Sequence, residues 1–236
     1  MADDRVVLIT GATGALGRVA ARVFAADGAR LALAGTDHGR LAEVAAEAGV
    51  PDDRWVAAIG DLRDAAATRA AIDTVTERFA RIDVLLHLVG GFVPGVPILE
   101  LDEDRLRSML DQHLWTTLHA VRGVVPGMVE RGWGRILAVT SFTTVTTPAR
   151  AGIYATTKGA QETLLKVLAK ECAGTGVTVN LVAVRAIDTE HVRDTEPNPK
   201  TAGWTTPEEI VATLRFLASD AAGRINGARI PLDGQA

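Results

Sequence analysis

"VVLITGATGALGRVAARVFAAD" occupies residues 6–27, and its two ends obey different periodicities. Residues 6–10 are apolar on both faces, as a strand is when helices cover both sides of a parallel sheet. Residues 15–27 instead carry apolar side chains at helical spacing. Between them Gly11, Gly14 and Gly17 recur at three-residue intervals. A glycine-rich turn from strand to helix lets backbone N–H groups approach a pyrophosphate, and the helix N-terminus adds partial positive charge. Thr13 and Leu16 lie in the same turn and join the three glycines as candidate cofactor contacts. The phosphate loop of nucleoside triphosphatases ends in Gly-Lys-Ser/Thr, whereas Arg18 follows Gly17 here, so that class is disfavoured.

The alternation continues outward. Apolar runs at 30–34, 55–59, 83–89, 135–140, 177–184 and 228–232 read as further strands. Helical patterns at 39–49, 65–80, 102–130, 152–173 and 207–219 separate them. Strand and helix in turn predict an α/β, Rossmann-type doubly wound parallel sheet of about seven strands, as one domain over residues 1–236. One stretch breaks the rhythm. "IDTEHVRDTEPNPKTAGW" (187–204) is polar, carries two prolines and is long for a connection, so a lid beside a substrate site is expected there.

With 25 Lys+Arg against 29 Asp+Glu, the chain has no basic field to hold a nucleic-acid backbone. Cys172 is the only cysteine, which excludes an internal disulfide and a cysteine metal cluster and points to a reducing compartment. Its own place is that of a small buried hydrophobe on a helix. Nowhere do about 18 apolar residues follow one another, and a basic leader is missing, so a cytoplasmic protein without a membrane partner is expected. No metal site is expected.

The second strand should end near an adenosine ribose, where an acidic side chain would bind both hydroxyls and repel a 2′-phosphate. Gly35 and Thr36 stand there, with Asp37 just beyond. A small residue and a hydroxyl leave room for the phosphate, and Arg40 is placed to neutralise it. NADP is therefore favoured over NAD, with Asp37 as a ribose ligand the alternative. Asp61 suits the adenine edge or a helix N-cap equally.

Ser141, Tyr154 and Lys158 form the chemical constellation. Residues four apart share a helix face, so Lys158 lies beside Tyr154, and its ammonium charge should lower the tyrosine pKa. A tyrosine so tuned exchanges a proton with a substrate oxygen, and Ser141 holds that oxygen by a hydrogen bond.

With "TGATGALG" (10–17), "DL" (61–62), "IDVLLHLVGG" (82–91), Ser141, "YATTK" (154–158), "VTVN" (177–180), "IDT" (187–189) and "INGARIPLDG" (225–234), the whole chain resembles the short-chain dehydrogenase/reductase family. The resemblance implies an NAD(P)-dependent enzyme acting on a small carbonyl or alcohol, and a homodimer or homotetramer with paired helices. It adds Leu62 and Gly90 to the cofactor contacts, places Lys158 on the nicotinamide ribose and Thr189 on the carboxamide. "VGGF" (89–92) and "GWTTPEEI" (203–210) are similar to segments of dihydropteridine reductases, so reduction of a pterin-like ring is an alternative. A non-catalytic dinucleotide sensor is a third reading, against which the intact Ser, Tyr and Lys argue.

The chain also departs from the family pattern. His87-Leu88-Val89-Gly90 replaces the usual Asn-Asn-Ala-Gly, and His87 reads as structural. His113 aligns with the asparagine that anchors a water in the proton relay; it either replaces that group or is simply packed. Val184-Arg185 replaces Pro-Gly, and Arg185 is expected to pair with an acidic lid residue or, second, to face an anionic substrate. Phe92, Phe142 and Trp204 are candidates for the substrate pocket or for plain packing.

Overall fold

The computed structural model describes residues 4–234, so the expected domain ends at 1 and 236 lie outside the described residues. Each apolar run expected to be a strand forms one: β1 (Val6–Thr10), β2 (Arg30–Gly35), β3 (Trp55–Ile59), β4 (Val84–His87), β5 (Gly134–Ser141), β6 (Val177–Val184) and β7 (Arg229–Leu232). They make one parallel sheet in the order β3-β2-β1-β4-β5-β6-β7. The order reverses between β1 and β4, and such a reversal opens a crevice at the carboxyl ends of the strands.

The run 83–89 is longer than the strand it contains. Asp83 instead turns its buried carboxylate to the Val6 N–H (2.9 Å) and to Arg81. Beyond His87 the chain leaves the sheet at Leu88, whose N–H donates to the carbonyl and hydroxyl of Thr10.

Successive strand residues face opposite sides, so Leu8 and Ile9 of β1 enter different cores. One side packs Ile9, Leu31 and Leu33 under α1 (Ala15–Ala26), α2 (His38–Glu47) and α9 (Pro207–Leu217). The other packs Leu8, Leu85 and Ile136 under α3 (Ala65–Phe79), α5 (Thr116–Glu130) and α7 (Gly152–Glu171). Each such leucine or isoleucine, removed almost wholly from water, contributes about 1.5–3 kcal/mol.

Side chains close four of the helix starts among the described residues. Asp37 caps α2, Asp64 caps α3, and Asp102 caps α4 (Glu103–Leu110). Asp61, a candidate for the cap of α3, is therefore three residues early. Thr206 and Glu209 form a capping box on α9, with Pro207 in its first turn. Helix α1 differs: Gly14 caps it without a side chain, and its first turn holds no acidic residue. Its N-terminal partial charge faces the crevice uncompensated.

The 102–130 segment is not one regular helix. A π turn at Asp111–Trp115 joins α4 to α5, and wide turns of this kind concentrate at functional sites. Two short helices escaped the periodicity, α6 (Thr143–Thr146) after β5 and α8 (Val192–Thr195) inside the 187–204 segment. No helix among the described residues is long and apolar enough to cross a membrane.

Candidate active site

The glycine turn is built for a close approach. Gly11 has φ +69°, and a Cβ on it would stand 3.0 Å from the Leu88 carbonyl across the crevice. A Cβ on Gly17 would stand 2.3 Å from the Gly11 oxygen and 2.7 Å from Ala12. A Cβ on Gly14 would meet the Gly11 oxygen at 3.4 Å. The turn and the open N-terminus of α1 thus fit a dinucleotide pyrophosphate.

Two cavities flank the turn. One of about 600 Å³ is lined by Gly11, Gly14, Leu16, Gly17, Gly90, Ser141, Tyr154, Lys158 and Thr189. The other, of about 430 Å³, is lined by Gly11, Thr13, Gly35, Thr36, Asp61 and Leu62. The glycine turn, Thr36, Asp61, Leu62, Gly90, Tyr154, Lys158 and Thr189 all lie on these walls. Asp37 and Arg40 do not; the cation on the second wall is Arg63, which grips the Asp61 carboxylate through Nε and Nη2 at 2.7–3.1 Å.

Ser141 ends β5, Tyr154 lies in the first turn of α7, and both line the larger cavity. The Ser141 Oγ also accepts from the Thr143 N–H (3.2 Å) and Oγ1 (3.0 Å), so α6 holds it from behind. Lys158 is buried and donates to the Val139 carbonyl (3.0 Å) and to Gln161 Oε1 (2.9 Å). Burial lowers its pKa to about 8, against the pull of Glu162. Burial raises the Tyr154 pKa, and the Ser141 side chain opposes the rise without reversing it. The expected lowering of Tyr154 by Lys158 is therefore not seen: burial dominates, and the opposing contribution comes from Ser141.

His113 sits at the centre of the π turn with no exposure. The Gly91 N–H donates to its Nε2 at 3.3 Å, so the proton is on Nδ1, which donates to Thr157 Oγ1 at 2.9 Å. Its ring lies edge-on to Tyr154, 5.7 Å between centroids. The His113 carbonyl accepts from Thr117 Oγ1 (2.6 Å) and Gln161 Nε2 (3.3 Å). Gln161 thus links Lys158 to the π turn, and the sequence reading missed it. A buried amide at this position has no motif to announce it; only its place three residues after Lys158 is a signal.

His87 is a packed residue, as expected, between Thr10 Oγ1 (3.0 Å) and Thr116 Oγ1 (3.4 Å). Burial, followed by the charge of Lys158, lowers both His87 and His113 to about 3, so both are neutral near pH 7. Between about 6.5 and 3 the unfolded chain binds protons that the folded chain refuses. Their contribution is complete above 6.5 and is lost as pH falls toward 3, by at most about 1.4 kcal/mol per pH unit for each ring. Thermal unfolding measured from pH 7 to pH 4 should show a falling midpoint, with a shallower fall in His87→Gln. Parallel slopes would mean that His87 does not titrate on unfolding.

Two pocket candidates lie off the cavity walls, and a third has a different partner from the one expected. Phe142 faces Arg185 and Arg229, with each guanidinium carbon about 5 Å from its ring centre, and is on neither cavity wall. Trp204 also lies off the walls, its carbonyl bound by Arg193 at 2.8 Å. Arg185 does line the larger cavity, but its partner is Asp233 (3.2 Å), beyond the 187–204 segment rather than within it. Phe92 stands beside the catalytic candidates, with its ring 5.3 Å edge-on from Tyr154. It opens a third cavity of about 360 Å³ between residues 92–96 and 148–151, with Tyr154 on its wall.

A doubly wound sheet, a ligand-ready glycine turn at its switch point, and a Ser, Tyr and Lys cluster opposite define a nucleotide-dependent oxidoreductase. Residues 5–200 match the profile of the family described as short chain dehydrogenase. The chain is 33% identical to meso-2,3-butanediol dehydrogenase of Serratia marcescens, covering 99% of this chain and 95% of that protein. It is 31% identical to (2S)-[(R)-hydroxy(phenyl)methyl]succinyl-CoA dehydrogenase subunit BbsC of Thauera aromatica, covering 95% and 91%. Among solved structures, levodione reductase superposes with a TM-score of 0.88 at 28% identity, over 98% of this chain and 97% of that one. The chain belongs to the short-chain dehydrogenase/reductase family and is an NAD(P)-dependent oxidoreductase acting by hydride transfer.

Proposed function

We propose that this enzyme reduces a small carbonyl compound, or oxidises the matching alcohol, with NADP preferred over NAD. The observation that carries the reading is the convergence of Ser141, Tyr154 and Lys158 on the cavity floored by the glycine turn. The bound nicotinamide supplies or takes up the hydride. The Ser141 hydroxyl fixes the substrate oxygen by a hydrogen bond, and the Tyr154 hydroxyl gives that oxygen its proton or removes it. Lys158 places its charge beside both and binds the cofactor ribose, while Thr189 meets the carboxamide. His113 supports Tyr154 through Thr157, whose hydroxyl donates to the Tyr154 carbonyl at 3.3 Å. The substrate enters past Phe92, and segment 187–204 is the lid. Reduction of a pterin-like ring would use Tyr154 and Lys158 but has no need of Ser141, whose placement favours the carbonyl. The enzyme works in the cytoplasm as a homodimer or homotetramer.

Asp37 supports NADP. Its carboxylate accepts the Arg40 N–H at 2.9 Å to cap α2, while Gly35 and Thr36 line the adenosine cavity. The acid that would repel a 2′-phosphate is engaged elsewhere. Fluorescence titration with NADPH and NADH, followed by absorbance decay with ketones, diketones and quinonoid dihydropterin, tests the reading. Thr36→Asp should weaken NADPH by about 10–100-fold through like-charge repulsion and leave NADH nearly unchanged. Equal wild-type affinity for the two cofactors would remove the NADP preference. Binding without turnover on the whole panel would remove the carbonyl reading.

A further inference from the structure

Behind Ser141 lies an ion pair that the reaction scheme leaves unused. Glu162, one helical turn after Lys158 on α7, is almost wholly buried. Its Oε1 accepts from Thr140 Oγ1 (2.7 Å), Thr144 Oγ1 (2.7 Å) and Arg229 Nε (3.2 Å), and its Oε2 from Lys166 Nζ (3.1 Å). Arg229, on the edge strand β7, reaches further: its Nη2 donates to the Ser141 carbonyl (3.0 Å) and to Thr144 Oγ1 (3.3 Å). The arginine head also lies over the Phe142 ring.

These contacts join the end of β5, helix α6, helix α7 and β7 at the residue whose hydroxyl faces Tyr154. A carboxylate beneath a strand end would be costly if unpaired, and only its donors make it acceptable. Burial alone would raise the Glu162 carboxyl, yet Thr140, Thr144, Lys166 and Arg229 hold it below the ordinary range, so the charge persists. Nothing in the glycine turn or in the Tyr154–Lys158 spacing calls for this arrangement. Its geometry is specific to the segment that carries Ser141, because Arg229 grips the carbonyl of that residue and Glu162 holds Thr140 just before it and Thr144 three residues after it.

We propose that Glu162 and Arg229 are positioning residues, an ion pair of a buried carboxylate and a half-buried guanidinium that clamps the Ser141 peptide and thereby aims its hydroxyl at the substrate oxygen. The inference rests on the role given to Ser141 above. An Arg guanidinium forks to several oxygens at once, which a Lys ammonium does with looser geometry.

A double-mutant cycle decides. Arg229→Met should lower kcat about 10–100-fold with little change in KM, since a small displacement of a catalytic group costs that much. In a Ser141→Ala background the same change should cost less than about 2-fold, because the group being aimed is gone. Arg229→Lys should recover part of the loss, and Glu162→Gln should resemble Arg229→Met. Equal losses with and without Ser141 would overturn the clamp and leave the proposed function standing. A harmless Ser141→Ala would instead overturn the role of Ser141 and the clamp with it. Hydrogen exchange on residues 140–146 reads the clamp without turnover: faster exchange in Arg229→Met and near-normal exchange in Arg229→Lys are expected. Unchanged exchange in both would overturn it.

Discussion

Tyr154→Phe should lower kcat by about 10²–10⁴-fold, the range of a lost general acid, while NADPH still binds. The expectation comes from the shortage of substitutes. His113 is neutral, with Nε2 occupied by the Gly91 N–H and Nδ1–H by Thr157. His87 is buried between two threonines. The Ser141 hydroxyl can hold an oxygen, but an alcohol proton is far too weakly acidic to replace a phenol. Losing only the phenolic oxygen leaves the ring that packs between Phe92 and His113, so folding should be preserved. Stopped-flow absorbance with the best ketone of the panel measures the effect. A loss under tenfold would show that another group supplies the proton, with Lys158 the first to examine.

Gly17→Ala should be the most damaging single methyl in the cofactor half. The added carbon would stand 2.3 Å from the Gly11 oxygen and 2.7 Å from two Ala12 atoms, all of them backbone. A side chain could swing aside, but here α1 must move away from the turn. Overpacking of this kind costs about 1–3 kcal/mol, and the displaced helix N-terminus also loses its aim at the pyrophosphate. Thermal unfolding and NADPH titration should both show the loss, with cofactor binding more affected than stability. Gly14→Ala is the control: its Cβ would meet the same oxygen at 3.4 Å, an ordinary contact. Similar behaviour of the two variants would refute the packing argument.

Much of this architecture is legible in the chain. The strands of a parallel sheet are apolar on both faces, and β6 spans the same residues, 177–184, as the apolar run that marks it. The glycine turn and the i, i+4 pair at Tyr154 and Lys158 are local, so spacing alone carries them. What escapes the sequence is non-local or directional. The π turn at 111–115 widens a helix whose side-chain periodicity continues through it almost undisturbed. Arg185 has an acidic segment close by in sequence, yet it pairs with Asp233, 48 residues away. Arg229 lies 67 residues from Glu162 and becomes its partner only because β7 is laid beside β6. Phe142 and Trp204 illustrate direction: an aromatic residue near a site tells nothing about which way its ring will face.

The bonding of Lys158 has a further consequence. An ammonium group carries three N–H vectors in tetrahedral array. Among the described residues, one is spent on Val139 and one on Gln161. A single vector is left, so the side chain acts on the cavity as an aimed monodentate donor rather than as a diffuse positive cloud. Whatever oxygen meets it receives a bond of fixed bearing, and a second oxygen must wait until the first has gone.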